Sequence, residues 1–258
     1  METSQETECV TITPGGDVVF VLGKSRTAVE ITASFLKHIS PVLERMLALP
    51  MLEGEAVRSF DGTEPVAIEL PAEQPGAMMI ALRALYGSDP ECLTAEPRDI
   101  RDVSVLADKY DMVQRFRPMA AIWLGYPAAT TSQPDHQAAW DLLVAAYLFR
   151  MEKEFFEISK FFIRNDVPVV KYALGTPDEH LGLKLGMAIE SVRLANFTNH
   201  VDIGLCLGCF SIAQENFVER QPGCRFTTRH LWYVHKQGRM APSFVGRHGD
   251  IEQQLSGP

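Results

Sequence analysis

Cys206-Leu-Gly-Cys209 is the one pair in the chain with metal-ligand spacing, and Cys224 follows after fourteen intervening residues and His230 after five more. Three soft thiolates and an imidazole can close a tetrahedral zinc site. Read this way, Cys206, Cys209, Cys224 and His230 are candidate ligands of a structural zinc ion, the only cofactor these residues suggest, with His235 as a spare ligand. The competing reading places the pair on a helix over 201–217, where cysteines pack as small apolar residues. A zinc ribbon usually has two such pairs, and here there is one. A redox CxxC lacks its usual context, because no strand leads into a helix at this point.

Other catalytic patterns are missing from the sequence. It contains no phosphate-binding loop, no GxGxxG and no GxSxG. Asp108 and Asp111 are spaced to share a helix face, where two carboxylates suit acid–base work. The same spacing suits the exposed side of an amphipathic helix, with Lys109 between them. His38 and His136 are isolated and read as surface or packed histidines. Trp123 and Trp140 fall at apolar helical positions and read as core. No catalytic or cofactor-binding residue is assigned, and a non-enzyme is expected.

The elements that must position these residues follow from periodicity. Asp17-Val-Val-Phe-Val-Leu-Gly23 reads as a buried strand closed by glycine, and residues 28–31 as its hairpin partner. Cys9-Val-Thr-Ile-Thr13 alternates weakly. Phe35, Leu36, Ile39, Val42, Leu43, Met46 and Leu47 form a helical stripe that Pro41 interrupts. Ser40 can cap and Pro41 suits a first helical position, so the spacing predicts two short helices meeting there. Residues 52–64 read as polar turns. Val66-Ala-Ile-Glu-Leu70 alternates as a strand. Helices are expected over 76–86, stopped by Gly87, around Ile100–Tyr110, and across Phe116, Ala120, Trp123 and Leu124, with Pro118 marking the start of the last. Residues 126–134 are small, polar and proline-bounded, as in a linker. Beyond them the pattern is helical to about residue 220, with Thr176-Pro-Asp-Glu179 as a capping box. The fold class expected is α+β, a small sheet covered by helices, followed by a mainly helical domain.

The chain has 258 residues, enough for one or two domains of roughly 150. At 46% hydrophobic and 22% charged, it is neither disordered nor collagen-like. Its longest apolar run, residues 142–149, falls far short of the roughly 20 residues of a membrane helix. Residues 1–8 are polar and acidic, unlike an export signal. With five scattered cysteines, a reducing, intracellular setting in cytoplasm or nucleus is expected. The net charge of -9 is uneven. Residues 1–125 carry 19 acidic and 11 basic side chains, which argues against broad nucleic-acid contact. Residues 220–258 carry six basic and two acidic ones, read mainly as a solvated surface.

Four motifs then match in order, and with them the sequence resembles a BTB (POZ) domain. They are the strand Asp17–Gly23, Phe35-Leu36 with Ser40-Pro-Val-Leu-Glu-Arg-Met-Leu47, Ile68-Glu-Leu70 with the helix from Met78 to Tyr86-Gly87, and Leu106-Ala-Asp-Lys-Tyr-Asp-Met112. Thr32-Ala33 stand where the family often has His-Lys. The second part is similar to the helical region that follows this domain in proteins of filamentous fungi, on Trp123, on Trp140-Asp-Leu-Leu-Val-Ala-Ala-Tyr147 and on a helix ahead of the Cys-x-x-C. The resemblance implies a BTB-like domain over 17–125, a linker over 126–134 and a helical domain over 135–258. It implies a protein-interaction or adaptor module that self-associates or binds other proteins. Some members of the family link substrates to cullin-type ubiquitin ligases, which makes a cullin scaffold a candidate partner. The rival function is a transcription-linked regulator using the zinc site and the basic tail.

Overall fold

β-branched residues build the sheet. Val18–Leu22 (β2) and Thr27–Ile31 (β3) pair antiparallel, with Val18 opposite Ile31 and Phe20 opposite Val29. Cys9–Thr11 (β1) adds parallel to β3, and Val66–Leu70 (β4) adds parallel to β2, giving a four-stranded mixed sheet in the order β1-β3-β2-β4. Alternation sends Val18, Phe20, Leu22, Val29, Ile31 and Ile68 to one buried face. The hairpin turn needs Gly23, whose φ is +62° and whose absent Cβ would stand 3.0 Å from the Glu73 carbonyl. The structure is a computed structural model and describes residues 9–48, 52–59, 62–87, 89–125, 135–165, 167–195 and 203–224.

Helices cover the apolar face of the sheet. Ala33–Ile39 (α1) starts where Asp17 Oδ1 accepts the Ala33 amide at 2.6 Å. Pro41–Ala48 (α2) follows at once, as the proline spacing predicts. Ser40 joins them. Its buried Oγ accepts the Leu43 amide at 3.0 Å and donates to the Tyr110 carbonyl at 2.6 Å. One hydroxyl therefore caps a helix and ties it to a segment seventy residues away. Ser40→Ala removes the cap and leaves a buried carbonyl without this donor, so a loss of about 2 kcal/mol is expected in urea unfolding.

Leu52–Arg58 (α3) is a helix where turns were expected. Gly54 lies inside it and is buried, so packing overrides the weak helix preference of glycine here. Pro75–Tyr86 (α4) ends at Gly87, whose φ of 75° and whose N–H, donating to the Arg83 carbonyl, form the expected C-terminal stop. A 3₁₀ turn over Pro90–Thr94 leads to Pro97–Lys109 (α5), which buries Ile100, Val103, Leu106 and Ala107. Val113–Gly125 (α6) begins five residues before Pro118, which sits inside the helix rather than at its start. The apolar stripe Val113, Phe116, Ala120 and Trp123 is buried along the whole length, and that burial outweighs the single backbone bond a proline forgoes.

The linker stretch 126–134 lies outside the described residues. Beyond it come His136–Leu148 (α7), Glu152–Arg164 (α8), Val170–Leu174 (α9), Glu179–Ala195 (α10) and Leu207–Ile212 (α11). Asp135 caps α7, its Oδ1 accepting the Gln137 amide at 2.8 Å. Asp178, not Thr176, caps α10, its Oδ1 accepting the Leu181 amide at 3.0 Å. Thr176 instead turns inward, accepting from Trp140 Nε1 and donating to the Tyr172 carbonyl, both at 2.9 Å. A buried indole N–H needs an acceptor, and that demand takes the threonine away from the cap.

One apolar core runs through both segments, from Ile12 to Phe217. α5 lies against α7, and Phe116, Trp123 and Phe149 form a triangle of rings with centroids 5.8 to 6.1 Å apart. The chain is thus α+β, with a small mixed sheet and helices on either side of residues 126–134. Among the described residues no helix is long and apolar enough to cross a membrane.

Candidate metal centre

The segment 203–224 is seated before it is shaped. Leu205 donates its amide to the buried Ser159 Oγ at 2.7 Å. Gly204 presses so close to α8 that an added Cβ would stand 2.2 Å from the Phe156 carbonyl, so only glycine fits there. The chain then turns into α11, whose Phe210 packs against Tyr147 at 5.3 Å and Phe155 at 5.4 Å. The helix runs only from 207 to 212, much shorter than the 201–217 helix that apolar spacing suggests.

This placement sets the cysteines. Cys206 is the residue before the first turn of α11 and Cys209 lies within that turn, so the two thiols reach the same side. A return loop brings Cys224 back. Its turns are fixed by Asn216 Oδ1, which accepts the Val218 and Glu219 amides, and by Gly223 at φ +85°. The result puts Cys206 Sγ 3.8 Å from Cys224 Sγ, with all three sulfurs within 4.8 Å of one another. All three residues are buried, at 2, 4 and 6% exposure, and none is in a disulfide. The Gln221 amide donates to Cys209 Sγ at 3.3 Å.

Burial is the main electrostatic influence on Cys206 and Cys209. It raises Cys206, against the pull of the Cys209 and Gly208 amides, and the neighbouring Cys224 adds to the rise. It pushes Cys209 up to about 12, with the Gln221 amide opposing. A buried sulfur that resists ionisation on its own is a poor nucleophile at neutral pH. Three buried cysteine sulfurs brought this close together form a soft donor set of the kind that takes a metal ion.

The three cysteines that the sequence singles out are therefore brought together. His230, the fourth expected ligand, and the spare His235 lie outside the described residues, as does nearly all of the basic tail. Among the described residues no further His, Cys, Asp or Glu joins the three.

The other candidates do not assemble into a site. Asp108 is exposed on α5 and pairs with Arg150 at 3.3 Å. Asp111 does not share that helix face, because α5 ends at Lys109 and Asp111 takes a φ of 54° beyond it. His38 is exposed, and His136 rests against the Phe161 ring at 5.7 Å.

Sequence reasoning missed two polar clusters. Arg101 and Asp141 meet between α5 and α7 at 2.7 Å. Glu73, only 8% exposed, takes Lys109 Nζ and the Tyr110 hydroxyl, the latter at 2.9 Å, and Tyr110 is raised by its burial and by Glu73. A charged residue at a core-facing position of an amphipathic helix was the available signal, and it fits Arg101 and Asp141 alike. The chain matches no family model, no curated protein and no solved structure.

Proposed function

We propose that the chain is an intracellular protein-interaction module of the BTB (POZ) type, binding rather than catalysing, whose first segment self-associates or engages a scaffold. The observation that supports this reading most is the element order around Ser40. A β2/β3 hairpin, two short helices split at Ser40-Pro41, a strand β4 parallel to β2, and then α4 and α5 carry the four resembling motifs in sequence. Fold alone does not assign function, so the reading stands on binding. The second segment shares its core with the first and is read as its support or as the seat of a second partner. Light scattering of the purified full chain at micromolar concentration tests the idea, together with a pull-down on a purified cullin scaffold. Self-association or scaffold capture is expected. A strict monomer that captures no scaffold overturns it.

The cysteine cluster favours a second reading, a transcription-linked regulator with a small zinc site and a basic tail. Such a regulator would bind duplex DNA with an affinity that falls steeply as salt rises, because phosphate contacts release counterions. Absence of DNA binding at low salt removes this reading.

A further inference from the structure

We infer that Cys206, Cys209 and Cys224 hold a structural zinc ion. The inference rests on the cysteine cluster that favours the second reading, and it needs neither DNA binding nor self-association to be true.

The first ground is spacing. Ligand sulfurs about 2.3 Å from a tetrahedral zinc stand about 3.8 Å apart. Cys206 Sγ and Cys224 Sγ stand 3.8 Å apart, far beyond the roughly 2.05 Å of a disulfide. The second ground is where these residues pack. Cysteines acting as small apolar residues would interleave with the main core. Here the three form a cluster of their own, apart from the continuous core that runs from Ile12 to Phe217. The third is the shell around the sulfurs. The Gln221 amide on Cys209 Sγ is the sort of outer hydrogen bond that orients a metal ligand. The fourth is the fold of the loop. Residues 213–224 form neither helix nor strand, yet Cys224 is buried against Cys206.

Zinc fits better than other ions because three buried thiolates form a soft donor set suited to its tetrahedral preference. Binding exchanges the three thiol protons for one divalent cation, so the three thiolates and the ion together carry one net negative charge. Its work is mechanical. It clamps the return loop to the start of α11 and so holds Phe210 and Phe217 over the helical core.

The test uses the full chain purified without chelator. Elemental analysis is expected to find about one zinc per chain. Cys209→Ser is expected to lose the metal. Because that variant can also fail to fold, the native chain carries a second measurement, alkylation with and without a zinc chelator. Cys9, exposed on β1, should react in both samples. Cys206, Cys209 and Cys224 should react only once the chelator is added. Metal-free folded protein, copper or iron in place of zinc, a Cys206–Cys224 disulfide, or alkylation unaffected by the chelator overturns the zinc site. A zinc-loaded chain that binds no DNA ends the regulator reading and leaves this site intact.

Discussion

Arg101→Met is expected to destabilise the chain by about 3–5 kcal/mol, and Arg101→Met with Asp141→Leu to recover most of that loss. The reason lies in the desolvated joint between α5 and α7. Arg101 donates to Asp141 Oδ1 at 2.7 Å, and the two side chains are 10 and 4% exposed. Without the guanidinium, Asp141 keeps only the Gln137 amide at 3.2 Å. A buried carboxylate with one neutral donor is expensive. Removing both charges replaces that cost with apolar contact, and Asp102, which also binds Arg101, is exposed enough to be hydrated. Urea midpoints of the two single variants and the double variant close the cycle. A double variant no better than Arg101→Met shows that the loss came from packing, not from the stranded charge.

The same pair predicts a pH dependence with a definite sign. Burial raises Asp141 above the ordinary carboxylate range, while Arg101 holds it down. A carboxyl raised in the folded chain binds its proton more tightly there than when unfolded. Its contribution therefore favours the fold at low pH and fades as pH rises through the raised value. Arg101→Met removes the opposing influence and extends that window upward. The deficit of this variant should thus be smaller at about pH 5 than at about pH 7. An equal deficit at both would show that Asp141 does not titrate there.

Trp140→Ala is the second large effect, expected to cost about 3–5 kcal/mol. Trp140 is 1% exposed and stands between α8 and α9, edge-on to Phe162 at 5.5 Å and stacked on Tyr172 at 6.1 Å. Its indole N–H is held by Thr176. The surrounding helices have little freedom to close the void, because α9 and α10 already meet at backbone distance. An added Cβ on Gly182 would stand 2.2 Å from the Ala173 carbonyl. A cavity that cannot collapse keeps its full cost. Trp140→Phe retains most of the ring contact and loses the hydrogen bond, so about 1–3 kcal/mol is expected. Circular dichroism in urea measures both. A loss under about 1 kcal/mol for alanine would show that these helices do not pack around this residue.

What the sequence made legible was local. The β2/β3 hairpin, the split at Ser40-Pro41, the alternating β4, the Gly87 stop and the cysteine pair each rest on a few neighbouring residues with strong backbone or chemical preferences. What stayed hidden depends on distant partners. α3 forms despite Gly54, and α6 runs through Pro118 because burial along its stripe outweighs one weak residue. Thr176 is drawn from its cap by an indole thirty-six residues earlier. The meeting of Cys206 with Cys224 was suggested by residue type alone. Their distance depends on how a return loop closes, and no periodicity encodes that.

The ring triangle of Phe116, Trp123 and Phe149 carries a consequence for inheritance. It takes two members from α6 and one from the end of α7. A lineage that resizes one ring must resize another, although the two helices are separated along the chain. A recombination event that brought a foreign second segment to this first one would meet a mismatched aromatic socket before any partner was tested.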